Sequence, residues 1–126
     1  METKKILIVD DEPAIISILT TRLEAVGYQV VAAVDGEEAL QKAEKEIPDL
    51  IVLDIMLPKI DGFKVCRILK YDDRYKDIPI IMLTAKGQEK DKNIGKDVGA
   101  DKYLTKPYEA EELLDAIRKL LKNTGK

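Results

Sequence analysis

The feature that most constrains this chain is a fivefold alternation of two kinds of segment. Five short apolar runs rich in β-branched residues stand at Ile6-Leu7-Ile8-Val9, Val30-Val31-Ala32-Ala33-Val34, Leu50-Ile51-Val52-Leu53, Ile78 to Leu83 and, more weakly, Lys102-Tyr103-Leu104. Their starts at 6, 30, 50, 78 and 102 lie 20 to 28 residues apart, room for one strand and one crossover helix. Most are continuously apolar rather than alternating, the pattern of strands buried on both faces of a parallel sheet.

The segments between them carry helical spacing. Pro13 suits a first helical turn, and Ile15, Ile16, Leu19, Leu23 and Val26 then recur on one side up to Gly27. Glu37 to Ile47 puts Ala39, Leu40 and Ala43 on one face and ends at Pro48. Asp61-Gly62 opens a third helix through Phe63, Val65, Cys66 and Leu69. A fourth is predicted from about Gln88 to Val98, stopping at Gly99, and a fifth from about Glu109 to Leu121. The fifth begins with acids and ends with Arg118, Lys119 and Lys122, matching the helix dipole. The predicted architecture is α/β: a doubly wound, five-stranded parallel sheet, (βα)5, with right-handed crossovers. At 126 residues this is one domain, expected over 1–122, with a polar tail at 123–126.

Composition then removes chemistries. There is no histidine, so no Ser-His or Cys-His nucleophile and no imidazole proton shuttle belongs to this chain. A single cysteine, Cys66, excludes an internal disulfide framework and a cysteine zinc site, and its mid-helix position reads as an inert thiol. The net charge of −3 argues against bulk attraction to nucleic acid or to an anionic membrane. No apolar stretch reaches membrane-spanning length, and the first five residues are too short for a signal peptide, so the expected compartment is the cytoplasm.

What chemistry remains is found where the strands end. In an open α/β sheet, ligands sit beyond the carboxyl ends of the strands, where strand order reverses. Asp10-Asp11 follows the first run, Asp54 the third, Thr84-Ala85 the fourth and Thr105-Lys106-Pro107 the fifth, while the second is followed only by the turn Val34-Asp35-Gly36. The order 2-1-3-4-5 makes these signals coherent, because it gathers the four polar ends in one crevice and leaves the plain one at the edge. Like charges about 4 Å apart cost on the order of 4 kcal/mol at an effective dielectric near 20. Asp10, Asp11 and Asp54 therefore call for proton uptake or a divalent cation, and an all-oxygen site with few protein ligands suits Mg²⁺. Asp54 can serve as an oxygen nucleophile toward phosphorus, with Thr84 and Lys106 binding phosphoryl oxygens. Read singly, each residue has a plainer role: Asp11 and Glu12 as helix caps, Thr84 as a helix-start hydroxyl, Lys106 as a solvated cation, Tyr103 as packing, and Tyr71 to Asp77 as a solvated loop.

The combination Ile6-Leu7-Ile8-Val9-Asp10-Asp11-Glu12-Pro13, Leu53-Asp54-Ile55-Met56-Leu57-Pro58, Asp61-Gly62, Leu83-Thr84-Ala85, Gly99-Ala100-Asp101 and Tyr103-Leu104-Thr105-Lys106-Pro107 resembles the receiver (CheY-like) domain of bacterial two-component response regulators. The resemblance implies a flavodoxin-like fold and a signalling switch rather than an enzyme acting on other substrates. It implies that Asp54 takes a phosphoryl group from the phosphohistidine of a histidine kinase or phosphotransfer protein. It implies Mg²⁺ on Asp10, Asp11, Asp54 and the backbone carbonyl of Met56, phosphoryl contacts from Thr84 and Lys106, a switch through Thr84 and Tyr103, and a cis Lys106-Pro107 bond. Output would pass through the face of the fourth helix, fifth strand and fifth helix to an effector protein or to an output domain elsewhere in a longer chain. The domain itself would bind no nucleic acid, and a phosphorylation-dependent dimer is compatible with it. Met56 and Lys86 border the approach of a hydrolytic water in that family; neither orients a water as a base would, which points to slow self-dephosphorylation.

Two other readings compete. A Mg²⁺-dependent phosphatase or phosphotransferase of haloacid-dehalogenase type also uses an aspartyl phosphate, but carries its nucleophile on the first strand and a second acid two residues on, where this chain has Met56. A flavodoxin-like cofactor binder would need a Ser/Thr/Gly-rich phosphate loop after the first strand, which is absent.

Overall fold

The computed structural model describes residues 3–85 and 99–124. Five parallel strands, β1 (Lys5–Val9), β2 (Gln29–Ala33), β3 (Leu50–Asp54), β4 (Ile80–Ala85) and β5 (Lys102–Lys106), form one sheet in the order β2-β1-β3-β4-β5. Helices α1 (Pro13–Ala25), α2 (Gly36–Glu46), α3 (Gly62–Lys70) and a C-terminal helix (Ala110–Thr124) complete the described elements. The helix predicted over Gln88 to Val98 lies outside the described residues, as does Lys86.

Two apolar layers sandwich the sheet, as a doubly wound fold requires. On one side Leu7, Val9, Ile51, Leu53, Ile80 and Met82 pack with Ala39 and Ala43 of α2 and Val65, Cys66 and Leu69 of α3. On the other, Ile6, Ile8, Leu50, Val52, Ile81, Leu83 and Leu104 pack with Leu19 and Leu23 of α1 and with Leu113, Leu114, Ile117 and Leu121 of the C-terminal helix. The continuous apolar runs are thus period-two strands with both faces buried. Cys66 is fully buried, and that burial pushes its thiol up to about 12, so it stays protonated and inert.

Element ends differ from the sequence prediction for local reasons. Pro79 has no N–H to give the ladder, so β4 starts at Ile80 rather than Ile78. β2 stops at Ala33 because the Val34 N–H donates to Glu38 Oε1 at 2.8 Å instead of to a neighbouring strand. α2 closes one residue early, with Ile47 left-handed (φ 45°) before Pro48, whose ring disfavours helix at the preceding position. The C-terminal helix runs past Leu121 to Thr124, into the residues predicted as tail.

The segment Tyr71 to Asp77 is more than a solvated loop. Tyr75 is buried against the α2–α3 layer, and Arg74 lies 4.8 Å over its ring while pairing with Asp72 at 2.9 Å. At that same edge of the sheet Lys70 Nζ donates to the carbonyls of Ile78 (2.8 Å) and Lys76 (3.0 Å) and pairs with Asp101 Oδ2 at 2.9 Å. No helix among the described residues is long and apolar enough to cross a membrane.

Candidate functional site

The site is the polar continuation of one face of the core. Ile6 and Ile8, Leu50 and Val52, and Leu104 all face the α1 side of the sheet. The next residue of the same period is Asp10 on the first strand's exit, Asp54 on β3 and Lys106 on β5. Strand order does the rest. β1 neighbours β3, and β4 alone separates β3 from β5. The carboxylates of Asp10, Asp11 and Asp54 each offer an oxygen within 4.8 Å of the others.

Their environments differ. Asp10 is fully buried; its Oδ1 accepts the Glu12 N–H at 2.9 Å, and its Oδ2 is buried without a hydrogen-bond partner. Burial raises the Asp10 carboxyl to about 6, with the nearby Asp54 charge pushing the same way and the Glu12 N–H and Lys106 opposing. Asp54 is 4% exposed; its Oδ1 accepts the Met56 N–H at 3.1 Å and its Oδ2 accepts from Lys106 Nζ at 3.0 Å. Burial disfavours the Lys106 ammonium, yet the Asp54 hydrogen bond and the charges of Asp54 and Asp10 outweigh it and raise its affinity for the proton. Asp11 is exposed at the mouth of the cluster. Glu12 is the N-cap of α1 but makes no side-chain cap, so capping does not account for this acidic run.

These residues fit a hard divalent cation. Among the described residues one ammonium faces three carboxylates, and an orphaned, fully buried carboxylate oxygen is costly unless a proton or a metal satisfies it. Oxygen-only donors and an exposed third acid, which leaves room for water, match the habits of Mg²⁺.

Two local devices set the cluster. Asp61 Oδ1 caps α3 by accepting the Lys64 N–H at 3.0 Å, and Gly62 follows. A Cβ at Gly62 would run into the Asp54 carbonyl oxygen and lie 2.7 Å from Ile55 Cα, so only glycine lets α3 start directly under the end of β3. Met56 sits at the lip, 62% exposed.

Thr84 and Tyr103 lie on the sheet's other side, the face of Met82. Thr84 is fully buried, and its hydroxyl is 3.5 Å from the Leu104 carbonyl oxygen and 3.4 Å from Thr105 Oγ1, both long for hydroxyl hydrogen bonds. Tyr103, opposite Met82 in the ladder, is half-buried against the α2–α3 layer. The Lys106-Pro107 peptide is cis.

A family profile described as the response regulator receiver domain matches residues 6–118. The chain belongs to that family. It is 52% identical over 122 residues to the DNA-binding dual master transcriptional regulator RpaA of Synechocystis, covering 97% of this chain and 51% of that protein. It is 51% identical over 121 residues to the alkaline phosphatase synthesis transcriptional regulatory protein PhoP of Bacillus subtilis, covering 96% of this chain and 50% of that one. This receiver domain therefore spans about half the length of the curated relatives it matches. It also superposes, with a TM-score of 0.86 and 30% identity over 95% of this chain and 98% of the other, on the receiver domain of the sensor histidine kinase PA1611 of Pseudomonas aeruginosa, solved with a magnesium ion coordinated in its active-site cleft. Receiver domains are signalling modules of two-component systems, and neither the haloacid-dehalogenase nor the flavodoxin-cofactor reading is favoured beside this match.

Proposed function

We propose that this receiver accepts a phosphoryl group on Asp54 from the phosphohistidine of a histidine kinase or phosphotransfer protein and thereby changes its affinity for a downstream effector or output domain. The observation that carries the reading is the Asp10–Asp11–Asp54 cluster with Lys106 on Asp54. In the transfer an Asp54 carboxylate oxygen bonds to phosphorus, the phosphorus–nitrogen bond breaks, and its electron pair returns to the partner's imidazole. Asp10, Asp11, Asp54 and the Met56 carbonyl would hold Mg²⁺, which when bound neutralises the carboxylates and the charge on the phosphoryl oxygens. Lys106 already lies on an Asp54 oxygen, so its ammonium would follow the negative charge outward onto the phosphoryl group. Thr84 would turn its loosely held hydroxyl to the same group, and Tyr103 would take up the space released. The domain's own catalysis would be limited to this phosphorylation and to a slow loss of phosphate, in a cytoplasmic setting.

Treatment with a small acyl phosphate and Mg²⁺ should add one phosphoryl group by intact mass, and Asp54→Asn should abolish the gain. Undiminished labelling of Asp54→Asn would remove Asp54 as the acceptor.

A further inference from the structure

The turn after β2 is the one strand exit with no chemistry of its own, yet it is built against the loop that leaves Asp54. A Cβ at Gly36 would run into the Ile60 carbonyl oxygen and lie 2.7 Å from the Ile60 Cβ. Gly36 has no left-handed backbone to accommodate, and alanine is the better helix former, so space against Ile60 is the reason left for glycine at the start of α2. The Gly36 N–H donates to the Pro58 carbonyl at 3.3 Å, and the Ile60 N–H donates to the same oxygen at 2.8 Å. Lys59, left-handed at φ 69°, places its ammonium 3.0 Å from Glu37 Oε1 and 3.7 Å from Asp35 Oδ2.

The turn is itself rigid. Asp35 Oδ1 accepts the Glu38 N–H at 2.7 Å while Glu38 Oε1 accepts the Val34 N–H at 2.8 Å, a reciprocal box across the helix start. The loop's other end is clamped as well: the Gly62 N–H donates to the Ile55 carbonyl at 2.9 Å. Met56 lies between these clamps, two residues from Asp54.

We propose that Gly36 and the Asp35–Glu38 box are positioning residues for the cation: they press on residues 58–60 and so hold the Met56 backbone where it can complete the Asp10–Asp11–Asp54 site. The inference rests on the metal reading of that site. It assigns a role to a turn that touches neither metal nor phosphoryl group. Supporting contacts around metal ligands typically change affinity 10- to 100-fold.

The test is the Mg²⁺ dissociation constant of the intact chain, read by amide-shift titration with magnesium chloride. Gly36→Ala should bind roughly tenfold more weakly, the low end of the range for supporting contacts. Asp35→Ala and Asp35→Asn lose the same charge, but only asparagine keeps a capping oxygen; the alanine variant should bind about threefold more weakly than the asparagine one. Lys5→Met, which breaks the Lys5–Glu46 pair (3.0 Å) at the far end of the sheet, should keep the parent constant. If Gly36→Ala does not fold, the Asp35 pair decides alone. Parent-like binding by Gly36→Ala, equal binding by the two Asp35 variants, or an equal loss in Lys5→Met overturns the proposal. A parent that shows no Mg²⁺ titration defeats the metal reading itself, visibly and before any variant is made.

Discussion

Lys106 Nζ stands 3.0 Å from Asp54 Oδ2, reaching from the end of β5 over the end of β4 to the end of β3. It is the described cation facing the three carboxylates, and it occupies an Asp54 oxygen that the proposed phosphoryl transfer would use. On the proposed function, the pair would stabilise the unphosphorylated state and compete with the cation.

Lys106→Met should show both effects. Without the ammonium, Asp10 and Asp54 face each other buried and uncompensated, which should lower stability at pH 7 by about 1–3 kcal/mol, less than for a fully buried pair because Lys106 is about one-third exposed. Its Mg²⁺ affinity should rise, because a competing positive charge is gone. Urea unfolding and a Mg²⁺ titration measure the two; weaker Mg²⁺ binding would show that Lys106 supports the cation rather than competing with it.

Asp10 gives a pH dependence. Its folded value, about 6, lies above the ordinary 3.8, so between those values the folded state holds more protons than the unfolded one. Stability of the metal-free protein should then fall as pH rises through 6, and the Asp10 contribution should be fully regained only toward pH 4, where protonation of other acids begins to oppose it. With saturating Mg²⁺ the carboxylate is held charged and the slope near pH 6 should flatten. Asp10→Asn should raise the chelator-treated melting temperature at pH 7.5 and abolish the gain from Mg²⁺. Identical pH profiles with and without Mg²⁺ would mean that the buried acid and the cation do not meet.

Thr84 tests the switch. Its hydroxyl contacts of 3.4 and 3.5 Å are too long to hold it firmly, so little is lost when it turns. Thr84→Ala should accept phosphate on Asp54 at a parent-like extent yet show a reduced amide-shift response on β5 and the C-terminal helix. A full parental response would place the coupling elsewhere.

Much of this was legible in the sequence, for a physical reason. Strand periodicity carries Ile6-Ile8 to Asp10 and Leu50-Val52 to Asp54, so an acid at the end of an apolar run announces both the strand and the edge where chemistry gathers. Strand order could be argued only from the coherence of the polar ends, and the structure has it as 2-1-3-4-5. What sequence reading missed depends on three-dimensional closeness with no periodic signature. Gly36 looks like an ordinary turn glycine until Ile60 is placed beside it, and Thr84 groups with the acids along the chain although alternation turns it to the opposite face. Tyr75 sits among six polar or aromatic neighbours that read as solvated, and only the fold shows the gap it fills.

Lys70 is the same kind of residue at the other end of the sheet, and it separates stability from function. Its side chain is 12% exposed, and its ammonium serves two carbonyls of the α3–β4 connection and Asp101, whose Oδ2 also accepts the Ile80 N–H at 2.8 Å. One cation thus ties the end of α3 to the starts of β4 and β5. Lys70→Met keeps most of the aliphatic stem but strands those acceptors, and should cost about 2–3 kcal/mol, below the 3–5 typical of a broken buried pair because Asp101 keeps some water contact. The urea midpoint should fall accordingly. The Mg²⁺ dissociation constant of the folded variant should equal the parent's, since the carboxyl ends of the strands are untouched. An unchanged midpoint would class the contact with ordinary surface ion pairs, and a weakened Mg²⁺ site would mean that the two ends of the sheet are mechanically coupled.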